Sequence, residues 1–210
     1  MLGYQSRLRF KGARSANMFE LHNDESGNII FSLAMIPCLL IIILSIIGIS
    51  QDVSSADVIL KNSTVIAVEG AASQFISAAE IPPDQAEASF KNMLEQNLKL
   101  DDNLNPLSFS AFSTNPNYTL LVFNGSQGGT AYTCQNGQLS SEPITPGNFP
   151  QTFQIGSGIN VRLNSPGVIA TIEETSKSIL GRPATYQRWA AAQVVMHNGT
   201  PTAALVGAAS

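Results

Sequence analysis

The side chains of this chain that could do chemistry are few, and they lie far apart. Its two histidines are His22 and His197, and its two cysteines are Cys38 and Cys134. A long apolar run separates His22 from His197 and contains Cys38, so neither pair is expected to converge and no Cys/His metal set is available. Cys134 is expected to be buried and inert, since a free cysteine behaves as a small hydrophobe. Glu173 and Glu174 form an adjacent acidic pair, but the segment 171–180 reads as a short helix, where neighbours point in different directions, so a solvated face is expected. Gly156, Ser157 and Gly158 read as a turn, because no flanking lysine or strand-to-helix context would make them a phosphate cradle. No nucleophile elbow, dinucleotide fingerprint, P-loop or zinc-protease pattern is present. Four N-x-S/T sequons occur, at Asn62, Asn117, Asn124 and Asn198. In a secreted glycoprotein these would be glycan acceptors, but they also arise by chance in a chain rich in Asn, Ser and Thr. These residues point to no enzyme, no cofactor, no metal and no small-molecule substrate.

Composition points elsewhere. The chain is 44% hydrophobic and only 12% charged, against about 25% charged in an ordinary soluble domain. Arg7, Arg9, Lys11 and Arg14 crowd the first 14 residues, whereas residues 50–210 carry seven basic against twelve acidic side chains. The acidic balance argues against a nucleic-acid partner, which requires a clustered basic face.

Residues 29–49, IIFSLAMIPCLLIIILSIIGI, contain no charge. Twenty-one helical residues at 1.5 Å each span a hydrocarbon core of about 30 Å. Ser32 and Ser45 can bond back to their own helix, and Pro37 is tolerated in a lipid-embedded helix at the cost of a kink. The basic cluster before the run sets the orientation, with residues 1–28 a cytoplasmic tail and residues 50–210 exported. A cleaved secretory leader is the alternative, with Ser54 and Ala56 as its small-residue site. The run, however, exceeds the usual apolar length of such leaders, about 7–15 residues.

The apolar pattern does not stop at the run. Val58, Val65, Ala72 and Ala79 recur every seven residues, with Val68 and Phe75 on the adjoining stripe, and this predicts one helix from about 29 to 79, ended by Pro82 and Pro83. A second helix is predicted at about 84–100, with Ala86, Phe90, Met93, Leu94 and Leu98 on one face, Asp84 as cap and Glu87 completing a capping-box variant. Residues 107–196 read as β-rich, with YTLLVF at 118–123 the strongest strand signal and NGSQGG at 124–129 a hairpin turn. Residues 135–150 read as a long loop, a last strand is expected at about 184–196, and 197–210 as a fraying tail. The fold class is α+β: a long N-terminal helix, a shorter second helix and a small antiparallel sheet.

The stretch 24–72 resembles the N-terminal region of the TadE/TadG-like proteins of bacterial tight-adherence (Flp) pilus systems. Gly27 and Asn28 match that family's Gly-Asn, and Phe31 to Pro37 its apolar-proline motif. Asp52 matches its aspartate at the membrane exit, Leu60 to Asn62 its Leu-Gln-Asn, and Gly70 to Ala72 its Ala/Gly-rich end. The closing segment 167–195 is similar in outline. The resemblance implies a pilin-like exported domain on a single-pass anchor in the bacterial inner membrane. Its implied partners are membrane lipid and other pilus-assembly or envelope membrane proteins, which small residues of the run, Ser32, Ala34, Ser45 and Gly48, would pack against. It also implies a processing site between Gly27 and Asn28. Processed members carry Glu five residues after that glycine, where this chain has Ser32, and the difference points to an unprocessed anchor. A single-pass binding or sensing domain unrelated to pili is the alternative.

Overall fold

The computed structural model describes residues 25–156, 158–177 and 183–209, with side chains in the first helix described at 35–48 and from 55 onward. Two compact units result, Met1–Ile47 and Gly48–Ser210. Helix α1 is Glu25–Ala72, 48 residues with Pro37 inside it. Among the described residues no helix is long and apolar enough to cross a membrane. The expected span, 29–49, lies partly outside the described side chains. The stretch 35–48 that is described would rise only about 21 Å at 1.5 Å per residue.

In the second unit α1 supplies one wall of the core. Ala56, Leu60, Ala67, Val68, Ala71 and Ala72 are buried, as are Ser63 and Thr64. The Thr64 hydroxyl donates to the Leu60 carbonyl at 2.7 Å, so its burial leaves no orphaned donor. Val68 and Ala72 of the expected stripe are thus in the core. Val65 and Phe75 are partly buried against the core, but Val58 and Ala79 are exposed. Small side chains make up most of the buried stripe.

The helix stops at Ala72 rather than 79. Ser73 Oγ donates to the Glu69 carbonyl (2.7 Å) and Gln74 Nε2 to that of Gly70 (3.3 Å), satisfying carbonyls that a continuing helix would use. The chain is then pinned at Ile81. The buried Asn124 side chain accepts from the Ile81 N–H (2.9 Å) and donates to the Ile81 carbonyl (2.8 Å). The sequon at Asn124 is therefore closed inside the fold.

Helix α2 is Pro83–Leu98, with Pro82 in the N-cap position and no side-chain cap. Asp84 and Glu87 do not form the expected capping box, because the Pro82 and Pro83 pair occupies the helix start. Their carboxylates instead accept from the sheet: Tyr132 Oη donates to Asp84 at 2.7 Å and Tyr118 Oη to Glu87 at 3.0 Å. Ala86, Phe90, Leu94 and Leu98 are buried, and Phe90 meets Tyr118 edge-on with ring centroids 5.1 Å apart. Gly70 allows α2 to approach α1, since a Cβ there would sit 3.2 Å from Met93 Cγ.

Among the described residues six strands form one antiparallel sheet in the order β3-β2-β1-β6-β7-β8. These are β1 Asn117–Phe123, β2 Gly129–Gln135, β3 Gln138–Ile144, β6 Gly167–Thr175, β7 Thr185–His197 and β8 Thr200–Ala208. A separate hairpin pairs β4, Gln151–Ile155, with β5, Ile159–Leu163. The α+β class is therefore observed. Alternation sorts the sheet's two faces. Tyr118, Leu120, Val122, Val168, Ala170, Ile172, Ala190, Ala192 and Val194 join the cluster that contains the helices. On the opposite face Phe123, Ile169 and Ala191 pack with Val161 and Leu163 of the hairpin.

Three expectations are corrected. Residues 171–175 are not helical: they belong to the central strand β6, paired on both sides, with β-branched Thr171, Ile172 and Thr175 suited to the pleat. The tail does not fray, because 200–208 pairs with β7 as an edge strand of small and β-branched residues. The span 135–150 is not one loop, because 138–144 pairs with β2. Both sheet edges carry a proline, Pro143 in β3 and Pro201 in β8, and β8 has a register irregularity opposite Ala191 and Ala192. These are devices that blunt further strand addition.

The packing yields a direct test. Phe90→Ala should cost about 3–5 kcal/mol, as expected for emptying a fully packed aromatic site. Val58→Ala, at an exposed position of α1, should cost under about 0.5 kcal/mol. Chemical denaturation of the full chain in detergent micelles, followed by near-ultraviolet circular dichroism, checks the pair; equal costs would contradict the packing described.

Candidate functional site

Three features of the described residues depart from an ordinary folded core. The first is the stretch 35–48 of α1. Its large apolar side chains are exposed on every side, from Met35 and Ile36 through Leu39 to Leu44 and on to Ile46 and Ile47, with Leu44 at 65% and Ile41 at 64%. A helix that is apolar all round is stable only where something apolar surrounds it. Ser45 Oγ donates to the Ile41 carbonyl at 2.7 Å, so the hydroxyl is satisfied within the helix and needs no water. A Cβ on Gly48 would meet nothing within 4 Å, leaving a smooth patch one turn beyond Ser45. Cys38 is exposed in the same stretch. The side chains of Ser32 and Ala34 lie outside the described residues, as does His22. Gly27 and Asn28 fall in the first turns of α1, with their side chains undescribed.

The second feature is the half of the sheet's outer face that the β4–β5 hairpin leaves open. Thr119 stands between Thr133 and Thr171, and Glu173 between Asn117 and Gln187. Together with Gln135 these line a shallow polar depression of about 190 Å³. Such a shelf can hydrogen-bond a polar surface. It holds no nucleophile beside a base, and among the described residues no group of three His, Cys, Asp or Glu could hold a metal ion. His197 is exposed where β7 turns into β8.

The third is Glu174. Glu173 lies on the open face, but its neighbour points the other way and is only 1% exposed. The solvated pair expected from the sequence is therefore split, because strand neighbours face opposite sides of the sheet. Thr114 Oγ1 (3.1 Å) and the Thr175 N–H (3.2 Å) both donate to Glu174 Oε2, while Oε1 is buried without a hydrogen-bond partner. Burial raises its pKa from 4.5 to about 8, against the lowering effect of those two donors. Helical periodicity concealed this residue; strand alternation from Val168 would have found it.

Burial also raises the pKa of the Cys134 thiol. Cys134 is buried, as expected, and free. Tyr118 and Tyr132 are pushed upward, mainly by burial, with Glu87 and Asp84 respectively adding to the effect. All three therefore serve packing, with the tyrosine hydroxyls kept protonated as donors to α2.

Glu174 sets a pH dependence. A carboxyl whose folded pKa lies above its unfolded value binds its proton more tightly when folded. Stability is then greatest below about 4.5 for this group and falls as pH rises toward about 8. Glu174→Gln keeps the shape and removes the titration, so it should flatten that decline and raise the melting temperature most at pH 8–9. Thermal unfolding of both forms from pH 5 to 9 checks this; parallel profiles would show that Glu174 does not titrate in this range.

Comparison with known proteins gives no further lead: no protein-family model, no curated protein and no solved structure matches the chain.

Proposed function

We propose that this chain is a non-enzymatic, single-pass membrane component of a bacterial envelope apparatus for pilus assembly or adhesion. In this reading residues 29–49 cross the inner membrane, 1–28 remain cytoplasmic and 50–210 fold outside. The observation that carries it is α1 itself. Its stretch 35–48 exposes apolar side chains all round, while 56–72 of the same helix forms a wall of the domain core. Burying one Leu or Ile side chain is worth roughly 1.5–3 kcal/mol, so leaving this stretch in water would forgo that gain at each of these residues. Lipid on one part and a packed domain on the other resolve the conflict. The basic cluster at Arg7, Arg9, Lys11 and Arg14 supports the orientation.

The TadE/TadG-like resemblance of 24–72 supports the apparatus. Ser45 and Gly48 offer small contact surfaces for a neighbouring membrane helix, and Ser32 and Ala34 extend the set in sequence. Such a part works by packing against lipid and protein partners and needs no cofactor. The polar shelf around Thr119 and Glu173 favours a second reading, in which the exported domain binds or senses a polar surface without belonging to a pilus.

Topology separates the reading from its opposite. Alkaline phosphatase fused after Ser210 should be active in cells, and a fluorescent protein that matures only in the cytoplasm should be dark there. The reverse pattern would place the domain inside and end the proposal. Intact-mass measurement of membrane-purified protein should show the basic tail retained, whereas a mass beginning at Asn28 would assign the chain to the processed class.

A further inference from the structure

The connections that carry residues 78–79, 124–127, 147–149 and 164–166 meet around a cavity of about 330 Å³. That volume lies at the lower end of the range for small-molecule sites, roughly 300–1,000 Å³. No described residue that lines it is charged. Part of its wall is polar. Gln127, Asn148 and Asn164 are exposed there, and their side-chain amides make no hydrogen bond to another described residue. Another part is apolar, from Ala78, Ala79 and Phe149.

The frame behind these side chains is fastened. The Asn124 N–H donates to the Gly128 carbonyl (2.7 Å), and the Gly128 and Gly147 N–H groups both donate to the Gly125 carbonyl (2.9 and 3.0 Å). Those bonds tie two of the connections together. Gly125 has φ +64°, and a Cβ there would fall 2.5 Å from Phe149 Cε2, so glycine alone lets the ring lie against that turn. Phe149 also meets Phe123 edge-on, with ring centroids 5.4 Å apart. On the other side the Asn164 N–H donates to Gln193 Oε1 (2.9 Å) and Ser165 Oγ to the Val194 carbonyl (2.5 Å). The Asn124 side chain is spent on Ile81, whereas the three exposed amides keep their donors and acceptors unspent.

We propose that this cavity binds a short neutral saccharide, its hydroxyls taken by Gln127, Asn148 and Asn164 and a C–H face of the sugar ring laid on Phe149 and the Ala78–Ala79 wall. Each amide presents donors and an acceptor side by side, which matches neighbouring sugar hydroxyls that also both donate and accept. A phosphate, a carboxylate or a metal ion would give up hydration here with no opposite charge in return. A wholly apolar ligand would cover the three amides and leave them unpaired. A sugar is polar at its rim and apolar across its ring, so it satisfies both parts of the wall. The inference does not rest on 29–49 crossing a membrane, because every residue it uses belongs to the second unit. It adds a ligand class to the attachment role proposed above.

The test is saturation-transfer NMR on the full chain in phosphatidylcholine nanodiscs, which carry no sugar. The probes are maltose, cellobiose and N,N′-diacetylchitobiose, with the uncharged tripeptide acetyl-Gly-Gly-Gly-amide beside them. At least one of the disaccharides should receive saturation. Asn148→Ala removes a hydrogen-bonding amide and Ala78→Trp fills the cavity, both at exposed positions, and each should weaken that sugar roughly tenfold. Ser141→Ala, exposed on β3, should leave it unchanged. Transfer to none of the disaccharides would overturn the proposal. Transfer that survives both Asn148→Ala and Ala78→Trp would put the sugar elsewhere and overturn it too. Stronger transfer to the tripeptide than to any sugar, lost in Ala78→Trp, would make the cavity a peptide site and overturn the saccharide assignment. None of these results bears on the membrane reading.

Discussion

The second unit depends on one buried stripe of α1 that walls its core. Ala56, Leu60, Ser63, Thr64, Ala67, Val68, Ala71 and Ala72 form the buried stripe, and most of them are small. Gly70 leaves room for Met93 of α2, whose Cγ would lie 3.2 Å from a Cβ at that position. Larger residues come from the other elements, chiefly Phe90, Leu94 and Leu98 of α2 with Tyr118, Leu120 and Ile172 of the sheet. The division of labour is a small-residue helix embedded in a large-residue surround.

That constraint explains the polar fastening around it. Because α1 carries little apolar bulk, orientation is fixed by directional bonds at the margins. Arg188 of β7 pairs with Asp57 of α1, both partly buried. Tyr132 and Tyr118 hold α2 by its first acidic residues, and Asn124 clamps the connection between the helices at Ile81. Each bond joins elements distant in sequence. A structure whose polar groups are spent on fastening suits a part that works by shape and attachment, which is the role proposed here.

The sequence made the long-range plan readable where one signal dominated. The uncharged run, the presence of α2 beside the paired prolines, and β1 with its alternating YTLLVF pattern all follow from composition or period. The errors cluster where two periods compete. The segment 171–180 reads as a helix from sequence, yet in 171–175 pairing to β1 and β7 on both sides decides for strand. Reading that segment as helix also hid Glu174, since only strand alternation turns it inward. On α1 the seven-residue spacing found Val65, Val68, Ala72 and Phe75, which face the core, but its two ends, Val58 and Ala79, are exposed. The edge strand 200–208 was unreadable for a different reason: its Ala, Gly and Pro residues are depleted in strands, and its order comes from pairing with β7.

The central claim is that one helix serves two surroundings, lipid along the apolar run and the packed domain beyond it. Amide hydrogen exchange of the full chain in lipid nanodiscs, read by mass spectrometry, tests this most directly. The account predicts strong protection over 29–49 and over 56–72, with the protection of 29–49 retained when Phe90→Ala destabilises the domain and releases 56–72. Rapid exchange across 29–49 in the bilayer, or loss of protection in both stretches together on destabilising the domain, would contradict it.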